Sequence, residues 1–165
     1  MAAAARAFVG VGANLGEAQA TVRAALLALQ QLPRTRWVAA SSLYRSAPVD
    51  AGGPDYVNAV AELRTELGPQ DLLHCLQAIE QRFGRVRGAR NAPRTLDLDL
   101  LLHGELRVDT AELTLPHPRA HLRGFVLRPL AELDPQLCLP GRGPIANWLP
   151  GAADQPVRRL AAALE

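Results

Sequence analysis

Two aspartates one residue apart, Asp97 and Asp99, are the residues of this sequence best suited to chemistry. In an extended strand, residues two apart point to the same face, so the two carboxylates would lie side by side. Like charges placed in this way repel each other unless a cation joins them. Mg²⁺ suits such a pair, because it binds one or two carboxylates together with substrate phosphates. A solvated strand face is the alternative interpretation.

An arginine-rich segment stands immediately before the aspartates and contains Arg85, Arg87, Arg90 and Arg94. Arginines beside a Mg²⁺ site suit phosphoryl transfer, since its catalysis depends on positioning and on neutralising charge on phosphate oxygens. Small residues between the arginines predict a mobile lid over residues 85–94. A solvated loop or a nucleic-acid patch would explain the same composition.

Two further pairs of side chains fall at spacings that place them together. Tyr56 and Asn58 share one face of a predicted strand, where a ring could stack on a heterocycle and an amide could bond its edge. Gln77 and Glu80 share one side of a predicted helix. Taken alone, the second pair is typical of a solvated helix surface.

The elements that must position these residues follow from periodicity and from glycine and proline signals. Strands are predicted over 8–13, 37–45, 56–66 and 96–103, and helices over 16–32 and 68–84. On the last strand, strict alternation predicts Asp97, Asp99 and Leu101 on one face and Leu98, Leu100 and Leu102 on the other. The order β-α-β-β-α-β predicts a ferredoxin-like α+β fold, with helices on one face of an antiparallel sheet and the active site on the other. Short helices are expected over 125–133 and 144–149.

Composition narrows the classes of function. All 18 basic residues are arginine, which excludes a Walker-type phosphate lysine and a Schiff base. A net charge of +2 gives no support for nucleic-acid binding. No apolar run reaches the roughly 18 residues of a membrane span, and Cys75 and Cys138 lack metal-ligand spacing. We therefore expect one domain, 1–165, that is cytoplasmic and has neither nucleic-acid nor membrane partners. A monomer is expected as well, although composition does not determine the oligomeric state.

The glycines of Gly10-Val11-Gly12-Ala13-Asn14-Leu15-Gly16 resemble a dinucleotide-binding turn. Their spacing is not G-x-G-x-x-G, and no acidic strand end follows. We reject a Rossmann interpretation.

Six runs, in this order and at these separations, resemble the 6-hydroxymethyl-7,8-dihydropterin pyrophosphokinase family: VGVGANLG, SSLYRSAPV, PDYVNAV, QAIEQRFGRVR, APRTLDLDLLL and LPHPRAHLRGFVLRPLAEL. The resemblance covers about residues 8–140, and its most specific part is the run from Pro93 to Asp99. It implies transfer of diphosphate from ATP to 6-hydroxymethyl-7,8-dihydropterin, with release of AMP, in folate biosynthesis.

The resemblance also implies roles for individual residues. Asp97 and Asp99 would bind two Mg²⁺ ions that accompany ATP, and together with Arg85 and Arg94 they would form the catalytic group. The implied ATP contacts are Leu73, Gln77, Glu80, Arg87, Thr114, His117 and Arg123. The implied pterin contacts are Ser46, Ala47, Pro48, Val49, Tyr56, Asn58 and Phe125, although core packing would equally explain Phe125.

Two departures from the family pattern concern the lid and the phosphate side of the site. Asn91 stands where some relatives carry a lid tryptophan, and Pro118 follows His117 where an aromatic residue can occur. Two other classes of function stay open. One is a different Mg²⁺-dependent phosphoryl or nucleotidyl transferase, and the other is a non-enzymatic ferredoxin-like module that binds RNA or a small ligand.

Overall fold

A computed structural model describes residues 3–14, 16–47, 54–84 and 96–163. Its helices are α1 (Ala18–Leu29), α2 (Pro69–Arg82) and α3 (Gly124–Leu133). Its longer strands are β1 (Ala5–Ala13), β2 (Thr35–Ala40), β3 (Leu43–Ser46), β4 (Tyr56–Thr65), β5 (Asp97–His103) and, after the short strands, β10 (Val157–Ala161). The short strands are β6 (Val108–Asp109), β7 (Thr114–Leu115), β8 (Cys138–Leu139) and β9 (Gly143–Pro144).

The main sheet is antiparallel at every recorded pairing. Its strands follow the order β10-β3-β4-β1-β5, and β2 pairs with another stretch of β4. Strands β1 and β4 therefore lie at the centre, and they are buried over most of their length. The described residues form a mixed α/β fold, in which three α-helices accompany an antiparallel sheet.

Helices α1 and α2 pack on one face of this sheet, as their apolar periodicity predicts. Leu26 and Leu29 of α1, with Leu72 and Leu76 of α2, belong to one buried cluster with the inward residues of the strands. Helix α1 ends three residues before the predicted boundary, because its last turn tightens. There Gln30 and its successor bond to carbonyls three residues back rather than four. In the described parts of the chain, no helix is long and apolar enough to cross a membrane.

The single strand predicted over 37–45 is wrong, because Ser41 and Ser42 divide it into β2 and β3. The Ser41 hydroxyl donates to the Ser42 carbonyl at 2.8 Å and accepts from the Val60 amide at 2.9 Å. The Ser42 amide donates to the Glu132 carboxylate at 2.9 Å. Serine side chains satisfy backbone groups locally, so the chain can leave the ladder here without losing hydrogen bonds.

The strict alternation predicted for β5 is also wrong at Leu102. Phe8 pairs with Leu102 and Val9 with Leu100, so Leu101 is an extra residue opposite the β1 strand. Because of this bulge, Leu101 and Leu102 both join the cluster beside α3. The sequence pattern does not predict this bulge, because residues 100–102 are all leucine and give no sign of where the pairing with β1 shifts by one residue.

The face opposite α1 and α2 is only partly open, which corrects the prediction that it carries no helix. Helix α3 covers one end of it, and Val126, Leu127 and Leu130 pack against Phe8 and its neighbours on the sheet. The remaining end of this face carries the candidate site.

Candidate active site

A cavity of about 480 Å³ opens on the end of the sheet that α3 leaves uncovered. Nine of the residues with a predicted role line it: Ser46, Ala47, Tyr56, Asn58, Asp97, Asp99, His117, Arg123 and Phe125. The tertiary structure thus brings together side chains from β3, β4, β5, the loop after β7 and the start of α3.

Two cross-strand rows form the floor of this cavity. Gly12 of β1 pairs with Asp97 on one side and with Asn58 on the other. One step along, Gly10 pairs with Asp99 and with Val60. Carboxylates therefore lie on one side of a side-chain-free strip, and the amide of Asn58 lies on the other.

Gly10 and Gly12 are lining residues that motif analysis did not assign. They lie inside β1, on the same face as Phe8, rather than in a turn before a helix. A Cβ added at Gly12 would stand 3.1 Å from the Asn58 Oδ1 atom. The sequence did contain a signal for these lining residues, namely two glycines spaced two apart in a strand. Such glycines often mark a place where a ligand or another segment of backbone comes close.

Asp97 and Asp99 are the first and third residues of β5, and both line the cavity. Asp97 is half-buried and Asp99 is exposed. Within the described ranges, no group of three or more His, Cys, Asp or Glu side chains could hold a metal ion. Two carboxylates in an open cavity nevertheless fit Mg²⁺, because this ion keeps several ligands from water and substrate phosphates. A metal that needs a complete cage of protein ligands would not fit.

His117, in the segment between β7 and α3, interacts electrostatically with Asp99 and with three arginines. Burial lowers the pKa of His117, Asp99 opposes this shift, and Arg123, Arg119 and Arg142 lower the pKa further. The His117 Nδ1 atom accepts a hydrogen bond from the Arg119 amide at 3.2 Å. A neutral imidazole with Nδ1 as acceptor carries its proton on Nε2, which can donate to an anion.

The same segment is anchored to the sheet and to a later loop. The His117 amide donates to the Leu101 carbonyl at 2.9 Å, and Arg142 Nη1 donates to the His117 carbonyl at 2.9 Å. The Arg123 guanidinium stands 5.4 Å from the centre of the Phe125 ring, within the range of a cation–π contact. The Arg123 guanidinium and the Phe125 ring therefore line the cavity side by side.

The other wall combines an aromatic ring with a fixed amide. Asn58 is buried, and its Nδ2 donates to the Ser46 hydroxyl at 2.7 Å. Tyr56 is half-buried and pairs with Ser46 across the strands. Phe125 both lines the cavity and packs against the cluster beside α3. Its ring can therefore contribute to the core and to the wall of the cavity at the same time.

Four residues with predicted ATP contacts do not line the cavity. Leu73 packs against the cluster of α1 and α2, Gln77 is exposed on α2, and Thr114 is half-buried on β7. Glu80 is buried, and its Oε2 accepts the Leu98 amide at 2.8 Å. The surface-pair interpretation is therefore wrong for Glu80, which anchors β5 between the two aspartates from the opposite face.

Five residues with predicted roles lie outside the described residues: Pro48, Val49, Arg85, Arg87 and Arg94. The predicted lid, 85–94, lies there with them. Their roles stay predictions.

The sequence matches, over residues 8–135, the family model described as 7,8-dihydro-6-hydroxymethylpterin-pyrophosphokinase, or HPPK. The chain belongs to the HPPK family. Among its relatives, the 2-amino-4-hydroxy-6-hydroxymethyldihydropteridine pyrophosphokinase of Pseudomonas aeruginosa is 47% identical over 156 residues, which cover 94% of this chain and 96% of the relative. The enzyme of the same name from Haemophilus influenzae is 43% identical, with 93% and 97% covered.

Solved structures of HPPK-DHPS chains share the fold. The wild-type Plasmodium falciparum HPPK-DHPS crystal structure superposes with a TM-score of 0.69 at 12% identity, over 89% of this chain. The present chain spans 41% of that longer chain. At this identity the likeness concerns the fold alone, whereas the bacterial HPPK relatives match this chain over nearly their whole length.

Proposed function

We propose that this chain transfers diphosphate from ATP to the hydroxymethyl group of 6-hydroxymethyl-7,8-dihydropterin and releases AMP, as a step of folate biosynthesis. The observation that carries the proposal is one cavity lined by two carboxylates, by a ring and an amide, and by the Arg123 guanidinium and the His117 imidazole. A flat heterocycle with a reacting hydroxyl and a polyphosphate both find complementary groups there. Membership of the HPPK family identifies the heterocycle as the pterin and the polyphosphate as ATP.

Asp97 and Asp99 would hold Mg²⁺, and we propose two ions. When bound, Mg²⁺ neutralises charge on the phosphate oxygens and lowers the pKa of a hydroxyl beside it. The protein's part is to fix both carboxylates on β5, where Glu80 holds the Leu98 amide between them at 2.8 Å. In the reaction, the hydroxymethyl oxygen gives up its proton to water and forms a bond to the β-phosphorus. The bond from that phosphorus to the oxygen it shares with the α-phosphorus breaks, and AMP leaves.

The pterin is proposed to bind between Tyr56 and Phe125, with Asn58 bonding its edge. Ring stacking contributes about 0.5–1.5 kcal/mol for each aromatic pair beyond the area it buries. The bond from Asn58 Nδ2 to Ser46 fixes the orientation of the amide, and its Oδ1 can accept from the amino group of the ring. Ser46, Ala47, Pro48 and Val49 are proposed to complete this pocket.

ATP is proposed to lie along the opposite side, with its phosphates between the aspartates and the pair His117 and Arg123. Arg85, Arg87 and Arg94 are proposed to add phosphate contacts, and Arg85 and Arg94 to act in catalysis. Leu73, Gln77 and Thr114 would serve the nucleotide from around the cavity. The role proposed for Glu80 is to anchor the aspartate strand.

Several wider properties belong to the same proposal. The strand order β5-β1-β4-β3 and the two helices on one face support a ferredoxin-like core within a single domain, 1–165. A monomeric state, a cytoplasmic location and the absence of nucleic-acid and membrane partners remain predictions.

Product analysis tests the proposed function directly. The chain is incubated with ATP, Mg²⁺ and 6-hydroxymethyl-7,8-dihydropterin, and nucleotides are separated by chromatography. We expect one AMP for each diphosphorylated pterin, and no AMP when the pterin is omitted. ADP would indicate another phosphotransferase, free diphosphate a nucleotidyl transferase, and unchanged ATP a binding module. Any of these three results would overturn the proposal.

A further inference from the structure

Arg123 stands at a position of α3 that suits neither its side chain nor its charge as a helix cap, although its guanidinium also contacts the Phe125 ring. It is the only residue between a turn of 3₁₀-helix, Ala120–Leu122, and the start of α3. Its carbonyl accepts the amides of Val126 and Leu127 at 3.0 and 2.9 Å, so Arg123 is the N-cap residue. An arginine side chain has no oxygen with which to cap helix amides, and its charge is repelled by the positive end of the helix dipole. Other contacts must hold it.

The side chain of Gln155 supplies these contacts from a distant part of the sequence. Its Nε2 donates to the Leu122 carbonyl at 2.7 Å, and its Oε1 accepts the Gly124 amide at 2.8 Å. The two bonds therefore enclose Arg123 from both sides along the backbone. The Gly124 amide is one of the helix donors that lack an intrahelical partner, so Gln155 takes the place of a local capping side chain.

Gln155 is itself held in place by the chain around it. Its amide donates to the Ala152 carbonyl at 3.1 Å, and Pro156 restricts it to extended conformations. Val157 follows as the first residue of β10 and pairs with Ser46 of the cavity wall. The C-terminal segment thus joins the strand that ends at Ser46 to the loop that carries Arg123.

The lack of a side chain at Gly124 also indicates that the segment from Gln155 to Val157 packs closely against the start of α3. A Cβ added there would stand 3.2 Å from Val157 Cγ2 and 3.4 Å from Gln155 Oε1. The first distance is tighter than ordinary van der Waals contact, so a larger residue would push the C-terminal segment away. The first residue of α3 therefore has to be small, because Gln155 and Val157 pack directly against it.

We propose that Gln155 is a positioning residue, which fixes the backbone on both sides of Arg123 and so sets where the Arg123 guanidinium meets the ATP phosphates. The inference rests on the proposed function, in which Arg123 contacts phosphate. Gln155 lies beyond residues 8–135 that the HPPK family model matches, and it is not among the residues that line the described cavity. It acts through Arg123 and not by touching substrate.

The test compares Gln155→Met, which keeps the size of the side chain and removes both hydrogen bonds, with Gln136→Met. Gln136 is an exposed glutamine in the turn after α3 and serves as the matched control. AMP formation is measured at varied ATP concentration, alone and combined with Arg123→Ala. We expect Gln155→Met to lower kcat/KM for ATP about tenfold, as the loss of two modest hydrogen bonds allows. In the Arg123→Ala background we expect a further loss of less than twofold, because the two changes act on one interaction.

Two additional measurements separate positioning from general loosening. Gln155→Glu retains the acceptor for the Gly124 amide and loses the donor to Leu122, so its kcat/KM should lie between the wild type and Gln155→Met. Hydrogen exchange of the Gly124 amide should accelerate in Gln155→Met, while the amides of the central strands β1 and β4 keep the protection that they have in Gln136→Met.

The failures of this inference and of the proposed function give different results. If the wild type forms AMP and Gln155→Met matches Gln136→Met, the inference alone is overturned. The same holds if Gln155→Met causes an equal factor of loss with and without Arg123. If the wild type forms no AMP from ATP and the pterin, the proposed function is overturned and the positioning role falls with it.

Discussion

At the scale of single residues, the site depends on two carboxylates that β5 holds on one face of the sheet. Both line the cavity, Asp97 opposite Gly12 and Asp99 opposite Gly10. Local strand geometry is sufficient to put them together, whereas the Mg²⁺ binding that we propose for them also needs ligands from phosphate.

We expect Asp97→Asn or Asp99→Asn to reduce AMP formation at least 100-fold, because either change removes a proposed carboxylate ligand of the Mg²⁺ that would balance the phosphate charge. The thermal unfolding midpoint should not fall, since like-charge repulsion is relieved. Glu105→Gln, at an exposed carboxylate in the turn after β5, is the control. Turnover within tenfold of the wild type in either aspartate variant would remove these residues from the catalytic group.

A second residue-scale prediction concerns the glycines of the floor. In Gly12→Ala the new methyl group would stand 3.1 Å from Asn58 Oδ1, and Asn58 is buried and bonded to Ser46, so the amide cannot retreat easily. We expect pterin affinity to fall about tenfold, the equivalent of roughly 1.4 kcal/mol, while ATP affinity changes less than twofold. Gly10→Ala meets Leu101 at 3.6 Å, an ordinary contact, and should weaken pterin binding less.

Calorimetric titration with each ligand checks the glycine prediction. Equal losses of pterin affinity in the two variants would mean that the depth of the floor matters and the orientation of the Asn58 amide does not.

At the scale of elements, α3 is tied to the corner between β2 and β3 by one carboxylate. Glu132 accepts the Tyr44 hydroxyl at 2.6 Å and the Ser42 hydroxyl at 2.9 Å, and Arg159 of β10 donates to the Ser42 hydroxyl at 2.8 Å. This contact fixes β3, whose last residue, Ser46, belongs to the cavity wall.

Burial and the bond to Glu132 raise the pKa of Tyr44 to about 12 from its ordinary value of 10.0. The neutral phenol is thus favoured in the folded state, and its contribution to stability is complete below pH 10 and is lost as the pH rises from about 10 through about 12. We expect Tyr44→Phe to lower the free energy of unfolding by about 1–2 kcal/mol at pH 8, with a weaker decline of stability above pH 10 than in the wild type.

Urea unfolding at several pH values between 8 and 11.5 measures this effect, with Tyr56→Phe as the matched tyrosine control. The control should keep the alkaline decline that Tyr44 causes. If Tyr44→Phe loses stability with rising pH as steeply as the control does, the phenol is not the responsible group.

At the scale of the whole molecule, Arg6 joins the sheet to the far end of α3. Its guanidinium donates to Glu62 of β4 and to Asp134 after α3, both at 2.9 Å, and it stands 4.9 Å from the centre of the Phe8 ring. The bond to Glu62 is the main cause that raises the pKa of Arg6. Glu62 is buried, so it depends on this partner.

We expect Arg6→Met to lower the free energy of unfolding by roughly 2–3 kcal/mol, because it leaves the Glu62 carboxylate buried without its cation. The double variant Arg6→Met/Glu62→Gln should recover part of this loss, since a neutral amide is less costly to bury than a charge. Urea unfolding at pH 7 measures both. A double variant less stable than Arg6→Met would show that the buried charge is not the source of the loss.

The sequence by itself determined which side chains share a face. Period two placed Asp97 with Asp99 and Tyr56 with Asn58, and the helical period placed Leu72 with Leu76, since a face is a local property of a strand or helix. The motifs of the six runs predicted the family, and the family match confirms that prediction.

The tertiary structure alone decided what covers each face and what stands behind each functional residue. Burial of Glu80 behind β5, coverage of one end of the open face by α3, and the bonds from Gln155 to both sides of Arg123 all join residues distant in sequence. Gly10 and Gly12 became a floor only when β4 and β5 paired on either side of β1. Periodicity carries no information about such partners, because it repeats within one element, whereas packing is decided where separate elements meet.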